Sequence, residues 1–295
     1  MRQATTRATL TGIGAVLLWA LLALLTAASG SVPPLQLTAM SFAVAFLIAL
    51  LVWGRRGQNP LRRLRHRPAV WLLGVTGLFG YHAMYFVALR QAPVVEASLI
   101  AYLWPLLIVL FSALLPGQRL RPIHVIGAVL GFSGAVLIVA RDGLQFDPAF
   151  LTGYLAAMAC ALIWSSYSVL NRRFADVPTD AVGGFCGATA LGALALHLTF
   201  ETPVMPVGIE WLAILGLGLG PVGGAFFLWD HATKHGDLRV LGAAAYLAPL
   251  LSTLVLVAAG QAVATWQVGL ACLLITGGAV LASLDMLRRA PHDRA

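Results

Sequence analysis

The sequence predicts an all-α membrane protein of ten transmembrane helices, arranged as two inverted five-helix repeats with both termini cytoplasmic. Three observations lead to this fold class. The 295-residue chain is 60% hydrophobic and only 10% charged, with a mean hydropathy of +0.87. It contains ten apolar runs of the length that crosses a bilayer. The second half also repeats short stretches of the first at a nearly constant offset.

The composition indicates a protein embedded in a lipid bilayer and bears on its partners. A soluble domain carries about one-quarter charged residues, and ten helical crossings of about 20 residues each leave little of this chain for loops and tails. The net charge of +8 must therefore be interpreted by position along the chain rather than as a sign of nucleic-acid binding. We expect the lipid bilayer and a small-molecule substrate as partners, no nucleic acid, and a monomer.

The ten apolar runs are bounded by charged residues, proline or glycine. They cover residues 9 to 27, 35 to 53, 70 to 89, 95 to 115, 122 to 140, 151 to 171, 181 to 200, 209 to 229, 239 to 259 and 265 to 287. The first run follows Arg2 and Arg7 and ends near small residues, as a cleavable signal peptide does. We interpret it as a span because nine more follow and it has a counterpart in the second half.

The basic residues predict the orientation. A cytoplasmic N-terminus places 17 of the 19 Lys and Arg residues inside and leaves only Arg90 and Arg141 outside. Short cytoplasmic loops carry an excess of Lys and Arg, and the opposite orientation would reverse this ratio. The charges therefore predict a multi-pass protein of the cell inner membrane.

The two halves of the chain are similar. Residues 101–107 match residues 245–251 with one difference, and residues 134–137 match residues 278–281, both at an offset of 144. Trp19 pairs with Trp164 at an offset of 145.

Five helices is an odd number, so the second copy must cross the membrane in the opposite sense to the first. We therefore expect one repeat over residues 1–145 and an inverted one over residues 146–295. Pro105 and Pro249 lie mid-span at equivalent positions, where each removes a backbone hydrogen bond and bends its helix. Both are candidate hinges, since alternating access requires bending in each half; a static bend is the alternative.

The stretch Ala101-Tyr102-Leu103-Trp104-Pro105, followed by Gly117-Gln118 and later by Ile163-Trp164-Ser165, resembles the ten-helix drug/metabolite transporters of the EamA type. Within that superfamily, the chain is most similar to the aromatic amino-acid exporters. The resemblance covers nearly the whole chain. It implies a transporter rather than an enzyme, which exports hydrophobic or aromatic amino acids and similar neutral amphipathic metabolites by alternating access. Asp230 departs from the exporters, where we expect Asn.

Aromatic residues inside the spans mark a candidate binding site. A Tyr or Trp away from the headgroups needs a partner for its polar atom, either a substrate or a neighbouring helix. Between their charged ends the spans contain no Lys, Arg, Asp or Glu, which favours a solute of zero net charge. The predicted substrate-binding residues are Trp19, Tyr81, His82, Tyr85, Tyr102, Trp104, Trp164 and Tyr246.

The sequence leaves open other functions and the energy source of transport. Export of aromatic drugs or other metabolites fits the same residues. Gly131-Phe132-Ser133-Gly134 matches the motif of intramembrane serine hydrolases, with His197 as the candidate base, although Gly277 at the equivalent position favours helix packing. His82 is the candidate group for proton coupling, and facilitated diffusion is equally compatible with the sequence.

Metal and cofactor sites are not predicted. Asp230, His231 and His235 have a spacing that could place three ligands at one helix end. Lys234 between them favours an interfacial polar cluster instead. The three cysteines lie singly inside apolar runs, without the spacing of a disulfide framework or a metal site.

Overall fold

The computed structural model describes residues 2–116, 120–140, 144, 146–260 and 263–288, and within these ranges the chain is helical and has no strand. In this described part of the chain, ten helices are long and apolar enough to cross a membrane. They are α1 Gln3–Ala28, α2 Pro34–Arg55, α3 Pro68–Gln91, α4 Val94–Ser112, α5 Pro122–Val139, α6 Pro148–Phe174, α7 Ala181–Phe200, α8 Ile209–His235, α9 Leu238–Ala258 and α10 Trp266–Leu284. Each coincides with one predicted span, which confirms their number and order. Gly117-Gln118 and Arg141 lie outside the described residues.

Most of the connections are short. One turn of helix, Pro60–Arg63, lies between α2 and α3. Helix α1 is interrupted between Trp19 and Leu22, and α6 begins and ends with 3₁₀ turns at Pro148–Phe150 and Asn171–Phe174.

Two irregularities recur at the offset of the sequence repeat. The first is a π-helical segment, which covers Thr76–Gly80 in α3 and Gly220–Gly224 in α8, 144 residues later. Such segments insert an extra residue into a helical turn and are frequent at functional sites.

The second irregularity is a break in α4 and in α9. Helix α4 consists of Val94–Ala101 and Trp104–Ser112, and α9 of Leu238–Ala245 and Leu247–Ala258. The first piece of each helix ends four residues before Pro105 or Pro249. A proline ring clashes with the carbonyl four residues earlier, so each break lies where its proline requires it. The structure therefore has both predicted bends, and their role as hinges stays a prediction.

Helix packing also follows the repeat. Helices α2, α4 and α5 each pack against their own counterparts α7, α9 and α10. Helix α1 packs against α8, and α6 packs against α3. These two contacts are repeat equivalents, because α6 is the counterpart of α1 and α3 is the counterpart of α8. At the crossing of α5 and α10, a Cβ atom on Gly127 would lie 2.5 Å from the carbonyl oxygen of Gly278, so small residues let the backbones touch.

One end of the bundle, which we call the basic end, holds the start of α1 and the α2–α3, α6–α7 and α8–α9 connections. The Arg56 guanidinium lies 3.8 Å from the Asp180 carboxylate, and the Thr9 hydroxyl accepts a hydrogen bond from the Asp237 backbone N–H at 2.9 Å. At the opposite end, the Glu201 carboxylate accepts the N–H groups of Leu35 and Gln36 at the start of α2, where unpaired helical donors favour an anion.

Candidate functional site

Aromatic side chains from α1, α4, α6 and α8 meet inside the bundle. The ring of Trp19 lies 6.1 Å, centroid to centroid, from the rings of Trp104 and Trp164, and 5.0 Å from that of Trp229. The side chains of Trp104, Trp164 and Trp229 are buried. We call the connected set of rings the ring cluster; its members are Trp19, Phe42, Tyr81, His82, Tyr85, Trp104, Trp164, Tyr167, Phe226 and Trp229.

Helices α2 and α3 complete one side of the ring cluster. The imidazole of His82 lies 5.1 Å from Phe42 and 6.3 Å from Phe226, and those two phenyl rings stack at 5.6 Å. Tyr81 contacts Trp164 at 5.8 Å. Helices from both halves of the chain therefore enclose the cluster.

Residues that are equivalent in the two halves contact each other in the ring cluster. Trp19 meets Trp164, its counterpart at an offset of 145, at 6.1 Å. His82 meets Phe226, its counterpart at an offset of 144, at 6.3 Å. The cluster consequently lies where the halves meet, which is where transporters with internal repeats bind their substrates.

Protein hydrogen bonds already use some of the polar ring atoms. The indole N–H of Trp19 donates to the carbonyl of Pro221, inside the π-helical segment of α8, at 3.1 Å. The indole N–H of Trp229 donates to the Ser168 hydroxyl at 3.0 Å, and His82 Nδ1 lies 2.7 Å from the Leu78 carbonyl. These bonds fix the orientations of three rings.

Five other donors have no hydrogen-bond partner within the described part of the chain. The buried Tyr167 hydroxyl is one of them. The other four are the indole N–H groups of Trp104 and Trp164 and the hydroxyl groups of Tyr81 and Tyr102. A polar group in an apolar interior is costly unless it forms a hydrogen bond. These donors can therefore bind a polar group of a solute that displaces the neighbouring rings.

The structure brings six of the eight predicted site residues into the ring cluster, namely Trp19, Tyr81, His82, Tyr85, Trp104 and Trp164. Tyr85 stacks on Tyr81 at 6.0 Å, and its hydroxyl lies 3.1 Å from the Ser98 hydroxyl. Tyr102 lies in the break of α4 and makes no ring contact within the described residues. Substrate contact by all eight stays a prediction.

Tyr246 lies apart from the ring cluster. Its ring is fully buried and contacts Phe132 at 6.2 Å. Its hydroxyl accepts a hydrogen bond from the Leu106 N–H and donates one to the Tyr102 carbonyl, both at 3.2 Å. The hydroxyl thus bridges two groups that would bond directly in an unbroken helix.

The sequence did not single out Phe42, Tyr167, Phe226 and Trp229 as site residues. The repeat offset could have found two of them, since Phe226 is the counterpart of His82 and Trp229 that of Tyr85. No comparable signal marks Phe42.

The expectation that the spans contain no charged residue is wrong. Helix α8 continues to His235 and buries Asp230 and Lys234, and Glu96 is buried in the first turn of α4. A carboxylate there faces the partial positive charge of a helix N-terminus, which makes its burial tolerable. No side chain of the ring cluster itself is Lys, Arg, Asp or Glu.

Asp230 is the centre of a buried polar network at the basic end. Its carboxylate accepts hydrogen bonds from Asn171 at 3.0 Å, from Thr179 at 2.8 Å and from Lys234 at 2.8 Å. Lys234 also donates to the Val177 carbonyl at 3.0 Å. A buried charge needs such pairing, and the network ties α8 to α6 and to the α6–α7 connection. We call this set the Asp230 network.

The first half of the chain forms a different contact at the equivalent positions. Phe86 and Arg90 are the counterparts of Asp230 and Lys234 at an offset of 144. The Arg90 guanidinium lies 5.3 Å from the centroid of the Phe86 ring, and the arginine is exposed. The Asp230 network is therefore not repeated at these positions.

The predicted interfacial cluster is wrong for Asp230 and Lys234, which face the protein interior. His231 and His235 are exposed, with their rings 5.0 Å apart. Among the described residues, no group of three His, Cys, Asp or Glu side chains could hold a metal ion.

The hydrolase alternative lacks its catalytic pair. The Ser133 hydroxyl donates to the Val129 carbonyl of its own helix at 2.9 Å. His197 Nδ1 lies 2.9 Å from the Glu201 carboxylate at the opposite end of α7 from the basic end. Each side chain has a local partner, so the structure does not join them as nucleophile and base.

Comparison with known proteins gives the family. The sequence profile of the EamA-like transporter family matches twice, over residues 6–140 and 151–284. The aromatic amino acid exporter YddG of Ancylobacter novellus is 53% identical over 279 residues, which cover 94% of this chain and 97% of that protein. The aromatic amino acid exporter YddG of Escherichia coli is 26% identical over 311 residues, covering 96% and 98%.

A solved structure is also similar. A crystal structure with 52% sequence identity has a TM-score of 0.91 and covers 97% of this chain and 99% of that one. The predicted resemblance is therefore confirmed, and the chain belongs to the EamA-like transporter family.

Proposed function

We propose that the chain exports aromatic and other hydrophobic amino acids across the inner membrane, and that the ring cluster is its binding site. The observation that carries the proposal is that four donors without a hydrogen-bond partner in the described residues lie in and beside a wall of aromatic rings; they belong to Tyr81, Tyr102, Trp104 and Trp164. The names of two relatives, both aromatic amino acid exporters, support this substrate class.

A zwitterionic amino acid matches this chemistry. The N–H and O–H donors can bind its carboxylate, a tyrosine hydroxyl can accept from its ammonium group, and the rings can enclose an apolar side chain. The Asp230 carboxylate follows Trp229 directly in the sequence, but Lys234, Thr179 and Asn171 already satisfy it. It is therefore not available as a counter-ion, which disfavours a cationic solute.

Alternating access between two inverted repeats is the proposed mechanism. It is supported by the double match of the family profile, the paired π-helical segments and the paired breaks of α4 and α9. The cluster rings contact one another in this structure, so a substrate must separate them to bind. Bending at the breaks beside Pro105 and Pro249 would move the rings on α4 relative to those on α1 and α8.

We place the basic end in the cytoplasm on the strength of its arginines. The Asp230 network then holds the cytoplasmic side closed, because it joins α8 to α6 and to the α6–α7 connection. Opening that side to receive a substrate requires these bonds to break.

Transport into liposomes that contain the purified protein tests the proposal. Labelled phenylalanine, tryptophan and leucine should show saturable uptake, whereas lysine and aspartate should not, because the ring cluster offers no counter-charge. Repeating the assay with an imposed pH gradient separates proton coupling from facilitated diffusion. An aromatic drug without carboxylate and amino groups should compete weakly, since it leaves the four donors unsatisfied. Equal transport of lysine and phenylalanine would refute the proposed site chemistry.

A further inference from the structure

A groove runs between α3 and α6 near the basic end, on the outer surface of the bundle. The two helices touch at Gly77, where a Cβ atom would lie 2.5 Å from the Tyr167 ring. Their contacts are densest along Tyr81–Gln91, continue at Thr76–Gly80 and become sparse along Pro68–Val75. The helices thus diverge toward the basic end, and the wedge between them is a cavity of about 540 Å³, within the usual size range of ligand sites.

The walls of the groove are apolar and open to the surroundings. They include Leu72, Leu73, Leu162, Ile163, Leu170 and Phe174. Leu72 is 71% exposed and Leu162 is 43% exposed. On the surface of a membrane-spanning bundle, exposed leucines face hydrocarbon rather than water, so the groove opens toward lipid.

Arg173 lines the same groove where α6 ends. Two other arginines of the basic end have acidic partners, since Arg67 pairs with Asp176 at 2.7 Å and Arg63 lies 3.8 Å from Asp180. Arg173 is exposed and, within the part of the chain that the structure describes, no carboxylate lies within 4.0 Å of its guanidinium. One uncompensated positive charge therefore sits beside an apolar slot.

We propose that this groove binds an anionic phospholipid of the cytoplasmic leaflet, with one acyl chain between α3 and α6 and the phosphate on Arg173. Basic pockets between transmembrane helices on the cytoplasmic side are suited to anionic headgroups, and a guanidinium can hold phosphate through two hydrogen bonds. The choice of leaflet rests on the proposed orientation, whereas binding itself does not depend on the transported substrate.

The inner wall of the groove connects the lipid to the ring cluster. Tyr167 lines the groove and stacks on Trp164 with ring centroids 5.1 Å apart. An acyl chain in the groove would lie against the outer side of this pair and fill the wedge that separates α3 from α6. The bound lipid would thereby support the helix pair that carries Tyr81 and Trp164.

Native mass spectrometry of the full-length chain in detergent tests the proposal without a transport assay. Phosphatidylglycerol and phosphatidylcholine with identical acyl chains are added in turn, and the lipid-bound fractions are compared. A single arginine near the membrane surface should favour the anionic lipid by roughly fivefold. Arg173→Gln should abolish this preference. Arg65→Gln is the matched control, because it removes an exposed charge from the same end that does not line the groove.

A second variant tests the acyl-chain position. Ser166 lines the groove and is half-buried, so Ser166→Leu narrows the slot and should reduce retention of both lipids severalfold. Thermal unfolding of each variant checks that the fold is retained. Equal retention of the two lipids by the parent protein, persistence of the preference in Arg173→Gln, or unchanged retention in folded Ser166→Leu would each overturn the proposal.

Discussion

The hydroxyl of Tyr246 lies between the N–H of Leu106 and the carbonyl of Tyr102, 3.2 Å from each. Those two groups stand four residues apart and would form a helical hydrogen bond if α4 were continuous. A side chain inserted in this way produces a kink. Tyr246 and Tyr102 are repeat equivalents, so the broken helix of one half is held by the tyrosine at the break of the other.

Removal of this hydroxyl should affect both stability and transport. Tyr246→Phe keeps the ring but leaves the Leu106 and Tyr102 backbone groups without their bridge, and it should cost about 1 kcal/mol of unfolding free energy. Because the geometry of the α4 break changes, the transport rate should also change. Thermal unfolding and liposome uptake measure the two effects.

Tyr154→Phe is the matched control for that variant. It removes a tyrosine hydroxyl that accepts a hydrogen bond from the Asp147 N–H at the start of α6, away from either break. It should lower stability slightly and leave transport unchanged. Equal transport rates for Tyr246→Phe and the parent would show that the bridge has no part in transport.

The proline breaks should matter for rate rather than for stability. Pro105→Ala and Pro249→Ala each restore a backbone donor and remove a clash with the carbonyl four residues earlier. The variants should be at least as stable as the parent and should transport more slowly. Unfolding midpoints and initial uptake rates are compared for both single variants and the double variant. Parental rates in all three would mean that the bends are static.

Removal of single indoles should weaken substrate binding without abolishing it. Trp104→Ala and Trp164→Ala each remove a ring contact that contributes about 0.5 to 1.5 kcal/mol to binding. Each also removes an N–H donor that has no hydrogen-bond partner in the described residues and can bind the substrate. The apparent affinity for tryptophan should therefore fall severalfold to tenfold or more. The ranking of substrates should change as well. Binding of labelled amino acids to the purified protein gives both quantities.

Trp229→Phe separates structural effects from substrate contact. Trp229 belongs to the ring cluster, but Phe keeps an aromatic ring there and the indole N–H that is lost already bonds Ser168. This variant should therefore lower thermal stability and preserve the substrate ranking. If Trp104→Ala and Trp164→Ala remain folded with parental affinities and rankings, the ring cluster is not the binding site.

A second substitution should restore much of the stability that is lost when the Asp230 network is broken. Asp230→Asn leaves Lys234 charged and buried without its counter-ion, which typically costs about 3 to 5 kcal/mol. Lys234→Met in the same chain removes the stranded charge and should recover much of that loss. Unfolding of the single and double variants forms a double-mutant cycle. Additive effects would show that the two side chains do not interact energetically.

Cysteine labelling should locate the basic end in the cytoplasm. Gln58→Cys lies in the α2–α3 connection, and Met205→Cys replaces a 78% exposed residue at the opposite end. Met205 is preferable to Gly208, whose φ of +52° favours glycine. In a background without the three native cysteines, a membrane-impermeant reagent added outside should label position 205 only. Labelling of both positions from outside would contradict the proposed topology.

The sequence predicts the spans and both bends because these depend on local properties. Apolar length sets each helix, and a proline acts on the carbonyl four residues before it. The aromatic residues of the site were largely predictable for the same reason, since Trp19, Trp104 and Trp164 stand out inside apolar runs.

The burial of Asp230 and the position of Tyr246 depend on contacts between distant segments, which no local pattern encodes. Asp230 follows an apolar run and looks like its polar boundary, but Asn171 and Thr179 reach it from another helix and a connection. Tyr246 looks like one more aromatic candidate, and only its bonds to α4 reveal a structural role.

Asp230 with Lys234 differs from its counterpart, Phe86 with Arg90. This difference has a consequence for the proposed alternating-access cycle. Two identical inverted halves would make the inward-closed and outward-closed forms equal in free energy, and each would be occupied half of the time. A buried ion pair on one side and an exposed cation–π contact on the other remove this degeneracy. Every 1.4 kcal/mol of imbalance changes the occupancy ratio about tenfold. The dwell times in the two forms, and hence the slow half of the cycle, follow from that imbalance, whereas the direction of net flux is still set by the solute gradient.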